Sequence, residues 1–211
     1  NHFKSKRPPN SPLGDGNADQ GDGQGAFNQR RTEAANDLAE WLATDPTNSG
    51  DADFLILGDL NAYAEEDPIL ALENKGYTNL IEQNIGSETY SFIFDGEAGY
   101  LDHVLGNASL TSQVTGAAEW HINTDEPQVI NYDEDFNPSG YYTANIYRSS
   151  DHDPVLIGLN LTASAPDVEI TATDNAAAEA GGDTATLTVT RTGDTTNALT
   201  VEYAISGTAT N

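Results

Sequence analysis

Asp53-Phe54-Leu55-Ile56-Leu57-Gly58-Asp59-Leu60-Asn61-Ala62 is an apolar run that ends in Gly-Asp-x-Asn. The run is too short for a helix of its own and reads as a buried strand. In extended backbone Asp59 and Asn61 are two residues apart, so both side chains point to one side. A carboxylate beside a carboxamide at the mouth of a buried strand is where open α/β sheets place chemistry. The competing reading is an ordinary turn, since Gly, Asp and Asn punctuate many strand ends. The rest of the chain has to decide between them.

The chain has 211 residues and a net charge of −26. Residues 1–163 hold 27 acidic against 7 basic residues, a net of −20; residues 164–211 hold 7 against 1, a net of −6. Such a surface favours solubility and opposes passive adhesion to nucleic acid or membranes. There is no cysteine, so these residues can form neither a disulfide nor a thiolate metal site. No apolar run approaches membrane-spanning length. The chain opens on Asn1 close to a strand end, which reads as an internal piece of a longer precursor. Its cations are unevenly placed: Lys4, Lys6, Arg7, Arg30 and Arg31 fall early, and Arg148 precedes a second polar motif. They either gather at a phosphate or pair with neighbouring carboxylates.

In chain order, residues 1–5 read as a strand end with His2 and Lys4 on one face, stopped by Arg7-Pro8-Pro9. Residues 10–26 form a Gly/Asp/Asn-rich loop in which Asp15, Asn17, Asp19 and Asp22 space oxygens as calcium loops do. The twelfth position counted from Asp15 is Ala26 rather than a bidentate Glu, so a merely solvated loop is the rival reading. Phe27, Arg31, Ala34, Ala35, Leu38, Trp41 and Leu42 recur at helical spacing over 27–45. Helix followed by buried strand is α/β grammar. Glu65-Glu66-Asp67-Pro68 starts a second helix through residue 74, with Gly76 beyond its end. Residues 89–94 and 100–105 read as a hairpin around 95–99. A helical turn near 110–114, a strand over 117–122 and a long polar loop over 123–147 follow. Residues 155–159 are a last core strand, and Trp41 and Trp120 are assigned to the core.

Residues 162–166 have linker composition, and beyond them the texture becomes Thr/Ala/Val-rich. Apolar residues alternate around 168–170, 185–189 and 199–203, which predicts strands of an all-β sandwich.

Four separated segments carry chemistry: His2, Asp59 with Asn61, Asp102, and Asp151 with His152. No Ser or Cys nucleophile sits in a recognisable elbow. Carboxylates, an amide and two imidazoles suit hard metals and phosphoryl chemistry. One carboxylate can take a proton from water, and a carboxylate-held His can donate to a phosphate oxygen. His103 falls on the face opposite Asp102 and reads as packing or surface; Asp153 before Pro154 reads as a turn carboxylate rather than a second metal ligand.

Asn1-His2-Phe3-Lys4-Ser5, Gly58-Asp59-Leu60-Asn61, Tyr100-Leu101-Asp102-His103-Val104 and Ser150-Asp151-His152-Asp153-Pro154-Val155 resemble, in order and spacing, the motifs of the endonuclease/exonuclease/phosphatase superfamily typified by deoxyribonuclease I. The opening Asn-His-Phe-Lys-Ser-Lys and the Gly/Asp-rich loop further resemble large secreted bacterial extracellular nucleases, some of them cell-surface associated. The resemblance implies the C-terminal half of a four-layer α/β sandwich over 1–161. It implies that Asp59 orients or deprotonates the attacking water, that Asn61 holds the phosphate or metal shell, and that Asp102 fixes the tautomer of His152. His152 would contact the scissile phosphate, with His2 as a second phosphate-facing histidine. Asp151, Asp59 and Asn61 would ligate Mg²⁺ or Mn²⁺, with Ca²⁺ in support, and Lys4, Arg30 and Arg31 would meet phosphates. The family's first half, with its metal-binding Glu, is not among these residues, so they are expected to show little turnover alone.

Residues 167–211 resemble the first half of a Calx-beta domain through Ala178-Glu179-Ala180-Gly181, the run 188–194 and Thr200-Val201-Glu202-Tyr203. There Glu179 matches a calcium-ligand position. The expected function is metal-dependent hydrolysis of phosphodiesters in DNA, with RNA as second substrate. A phosphatase or phospholipid phosphodiesterase is the first rival, and a non-catalytic calcium-dependent adhesion protein is the second.

Overall fold

The computed structural model describes residues 1–8, 16–133, 137–161, 167–178, 181–193, 198–204 and 206. The chain divides into two compact units, one of Asn1–Thr47 with Ala52–Leu161 and one of Asn48–Asp51 with Thr162–Asn211.

The first unit is mixed α/β. Helix α1 (Asn28–Leu42) is followed by β1 (Leu55–Asp59), α2 (Asp67–Asn74), β2 (Tyr77–Asn79) and α3 (Leu80–Asn84). Strands β3 (Phe92–Phe94), β4 (Glu97–Gly99) and β5 (Asp102–Asn107), helix α4 (Ala108–Thr111), and strands β6 (Val114–Glu119) and β7 (Val155–Leu159) complete it. The central sheet has the order β1-β5-β2, with both pairings antiparallel. The segment around His2 adds a parallel bridge to Asp59 at the outer edge of β1. Ile56, Leu60 and Leu105 pack with Ala35 and Ala39 of α1 and Ile69 and Leu72 of α2. On the other side Val104, Leu80, Ile81 and Tyr100 pack with Leu55 and with Val155 and Ile157 of β7. The sheet therefore lies between a helical layer and the β6–β7 pair, with a separate core on each face.

Three expectations need correction. Strand β1 is not buried throughout: Leu57 is 48% exposed. Leu55 and Leu57 share a face, and the packing that covers Leu55 does not extend over Leu57. The hairpin is tighter than its alternation suggested. Strands β3 and β4 pair around Asp95-Gly96, both at positive φ as a two-residue hairpin turn requires, while residues 102–107 join the central sheet. Trp41 and Trp120 are each 57% exposed rather than core. The buried stripe of α1 runs Arg31, Ala35, Ala39, and Trp41 falls off it. Strand β2 and helix α3 carried no pattern long enough to announce them.

Gly58 sits at φ +130°, and a Cβ there would run into the backbone of Asn1. The missing side chain is what lets residues 1–3 lie against β1, where the Asn1 amino group donates to the Leu57 carbonyl at 2.8 Å and Phe3 N–H to the Asp59 carbonyl at 3.0 Å. Gly58→Ala is expected to destabilise the unit by about 1–3 kcal/mol and to displace His2. A melting curve, with the His2 ring resonances as local reporter, checks both.

The second unit contains β8 (Asp167–Asp174) and β9 (Thr186–Thr192), an antiparallel ribbon that pairs Ile170 with Val189 and Ala172 with Leu187. The strand expected over 199–203 is not formed: residues 198–204 carry no regular structure. Alternation becomes a strand only when a partner backbone takes up its hydrogen bonds. The predicted linker, 162–166, lies outside the described residues.

Candidate active site

Strands β1 and β5 deliver two acids to one place. Asp59 and Asp102 are direct cross-strand partners, so their side chains share a face at roughly 5 Å between Cβ atoms. Each carboxylate carries its own imidazole. The His2 Nε2 lies 3.3 Å from Asp59 Oδ2, and the His152 Nδ1 lies 2.6 Å from Asp102 Oδ2. Four groups from segments as far apart as residues 2 and 152 thus form one row.

Asp59 and Asn61 do meet, though not as neighbours in an extended strand. Asn61 has φ +49°, so the chain turns there. Its backbone N–H donates to Asp59 Oδ1 at 2.7 Å, and its side-chain amide donates to Asp59 Oδ2 at 3.0 Å and to the Phe3 carbonyl at 3.1 Å. This is a side-chain turn of the kind Asp favours, and Asn tolerates the left-handed backbone it needs. Both amide hydrogens of Asn61 are engaged, which makes it a clamp on Asp59 and on the segment carrying His2. Burial pushes the Asp59 carboxyl above its ordinary value. The Asn61 N–H and the His152 charge pull it back, Asp102 pushes it up again, and His2 opposes.

A carboxylate can only accept, so His152 carries its proton on Nδ1 and leaves Nε2 for another partner. Burial works against the charged ring, but the Asp102 hydrogen bond and charge outweigh it, with Asp59 and Asp151 adding to them. The net effect is a pKa above the ordinary 6.5. Ring packing also holds it, with the Phe92 centroid 4.6 Å away.

Asp153 is a structural carboxylate. One oxygen accepts from the N–H groups of Ile122, Asn123 and Thr124, and the other meets His121 Nδ1 at 2.9 Å. Burial raises its pKa, and these bonds more than reverse that, so it sits below the ordinary range. Arg148, at φ +51° and buried, donates to the carbonyls of Asn123 and Thr124. Asn123 in turn donates to the His152 carbonyl at 2.7 Å, and the Thr124 hydroxyl to that of Asp151 at 2.8 Å. The start of the long 123–147 loop and Arg148, just beyond its end, are therefore clasped beside His152. Ser91, Phe92, His121 and Arg148 form this surround; Arg148 is marked by its place before the second polar motif, and the other three show no distinguishing spacing in the sequence.

His103 is buried, with Nε2 2.7 Å from the Ala62 carbonyl, and burial lowers its pKa to about 4. It is a neutral packing residue beneath the site.

The cations are distributed differently from the expectation. Arg31, named as a phosphate contact, is fully buried, and its guanidinium donates to the carbonyls of Lys4, Gln24 and Ala26 and lies 3.9 Å from Glu66 Oε2. Lys6 is paired with Glu66 and lies over the Tyr63 ring. Lys4 and Arg30 are exposed, Lys4 with its ammonium 4.5 Å from the centre of the Phe27 ring. Arg31→Ala is expected to cost about 2–5 kcal/mol, since it leaves three carbonyls without their donor and Glu66 with Lys6 as its remaining cation. Arg30→Ala is expected to leave stability within about 0.5 kcal/mol and to lower the salt slope of substrate binding by about 1. Denaturant titration and affinity measured across salt concentrations separate the two.

The residues present do not make a complete metal cage. Among the described residues no three carboxylate or imidazole groups converge as metal ligands. Both Asp59 oxygens take hydrogen bonds from Asn61. In the 16–26 loop Asp19 and Asp22 each cap their own turn, accepting from Gly21 and Gln24 N–H. Among the described residues no three His, Asp or Glu side chains gather there. Asp15 and Glu179, the other candidate calcium ligands, lie outside the described residues.

No curated protein and no solved structure matches the chain. Residues 5–152 match the Endonuclease/Exonuclease/phosphatase family, a span that covers most of the first unit and every segment of the Asp59–Asp102–His152 row except His2. The chain belongs to the endonuclease/exonuclease/phosphatase family.

Proposed function

We propose that residues 1–161 are the catalytic part of a secreted bacterial endonuclease that hydrolyses phosphodiester bonds of DNA, and of RNA as a second substrate. Enzymes of this family are typically phosphodiester hydrolases and commonly use divalent metals. One observation carries the reading: a half-buried carboxylate, Asp59, stands beside a carboxylate-backed imidazole, His152–Asp102, on one sheet face. The raised pKa of Asp59 suits a group that accepts a proton from water, and the raised pKa of His152 suits one that donates.

In this reading a water attacks phosphorus in line with the leaving oxygen. Asp59 takes its proton as the new P–O bond forms, and the old P–O bond breaks with its electrons on the leaving oxygen. His152 Nε2 donates to the phosphate, where charge builds. Asp102, bonded to Nδ1, favours the protonated ring and orients it, which leaves an Nε2–H free to make this bond. His2, on the opposite side of Asp59 and 74% exposed, meets a second phosphate oxygen. A Mg²⁺ or Mn²⁺ ion, when bound, would supply charge neutralisation, with Asp151 as the carboxylate of this chain best placed by sequence to share in holding it.

Residues 167–211 are proposed as the start of a Calx-beta-like module serving as spacer or surface anchor, joined through 162–166. The test is incubation of the full natural chain with supercoiled plasmid, with RNA and with a generic phosphomonoester, each with Mg²⁺ or with EDTA. Nicked plasmid that requires Mg²⁺ supports the endonuclease reading. Turnover of the monoester with intact plasmid replaces it by a phosphatase, and no turnover of any substrate favours an adhesion protein.

A further inference from the structure

We propose that Ser91 is the positioning residue of the His152–Asp102 pair, holding both partners at once. The inference rests on the catalytic reading only for its consequence for turnover; the geometry stands by itself. Asp102 comes from β5 and His152 from the segment before β7, 50 positions apart. Ser91 belongs to neither. It opens the β3–β4 hairpin and is completely buried.

Every polar atom of Ser91 is spent on this junction. Its hydroxyl donates to Asp102 Oδ2 at 2.7 Å, the same oxygen that takes His152 Nδ1. Its Oγ accepts from Leu101 N–H at 3.2 Å and Asp102 N–H at 3.3 Å. Its carbonyl accepts from Asp153 N–H at 2.8 Å and from the Thr124 hydroxyl at 3.3 Å, and its own N–H is tied to Gly99 at 3.1 Å. A serine hydroxyl has one proton and two lone pairs. Two backbone N–H groups fill the lone pairs, so the proton is left pointing at Asp102. The hydroxyl is therefore a fixed donor, and it locks the rotation of the carboxylate that orients His152. The carbonyl meanwhile fixes the backbone beside the imidazole, and the next residue, Phe92, packs against the ring. Carboxylate and histidine are both measured from one rigid residue, which is how a pair from distant segments is held to a fraction of an ångström.

The test reads the His152 ring directly in the 211-residue chain, so it does not depend on activity. Nitrogen-edited NMR of the histidine rings, assigned with His152→Gln, is expected to show a low-field Nδ1–H slow to exchange with solvent. In folded Ser91→Ala that exchange is expected to be faster by about ten-fold or more. Unchanged exchange in folded Ser91→Ala overturns the proposal. Should Ser91→Ala not fold, Ser91→Thr, which keeps the hydroxyl, is read instead: native-like exchange supports the proposal and lost protection overturns it. In the full chain, Ser91→Ala is expected to lower kcat about ten-fold at unchanged KM, yet less than about two-fold in an Asp102→Asn background. Equal losses in both backgrounds would mean Ser91 acts on the fold generally and overturn the assignment. Absence of any phosphodiester turnover defeats the catalytic reading, while the ring N–H experiment still decides Ser91.

Discussion

Asp59→Asn is expected to lower phosphodiester turnover by about 10²–10⁴-fold, the range a positioned general base contributes. The substitution is close to isosteric and keeps an oxygen for the Asn61 backbone N–H, so the turn at residues 59–61 survives. Stability moves the other way. Burial raises the Asp59 pKa, which means that the folded protein holds the ionised carboxylate less comfortably than water does. Removing that charge beside Asp102 is expected to leave Tm unchanged or raise it, a stability–activity trade-off at one residue. Steady-state kinetics and a melting curve on the same preparation check the pair of outcomes. Retention of half the activity would remove Asp59 from the chemistry.

Asp102→Asn is expected to cost a similar factor, because His152 loses the charged partner that orients its ring and favours its protonated form. Its second signature is in pH. The folded pKa of His152 lies above 6.5, so the folded state binds this proton more tightly than the unfolded chain does. The stability this supplies is complete below about pH 6.5 and fades as pH rises through the higher folded value. The Tm gap between native protein and Asp102→Asn is therefore expected to be widest at mildly acid pH and to narrow towards alkaline pH. A gap that is flat across that range would show that the pair makes no charge-dependent contribution.

How much was legible beforehand follows from the kind of signal each feature leaves. Strand β1, helices α1 and α2 and strand β7 carry their periodicity within single segments, and the four chemistry-bearing segments are short local motifs. Helix α3 and strand β2, at five and three residues, are too brief to show a period. Arg31 stood in the helical stripe with apolar residues, where its charge suggested a ligand; its place in that stripe was the better guide, because the stripe is buried. Trp41 and Trp120 misled in the other direction, since aromatic character alone does not say which face of an element is covered.

The sequence by itself determined the α/β class, the family and the identity of the polar groups that end its strands. Those are properties of local pattern: residue type, spacing and turn chemistry. Only the tertiary structure decided which groups meet. The antiparallel register of β1 with β5 sets Asp59 opposite Asp102, and the left-handed turn at Asn61 makes that residue a clamp. Burial of Ser91, Asp153 and Arg148 makes them the frame around His152, a role that only Asp153, as a turn carboxylate, had suggested in part. The physical reason is that a hydrogen bond between distant segments depends on where packing brings their backbones, and no short stretch of sequence contains that information.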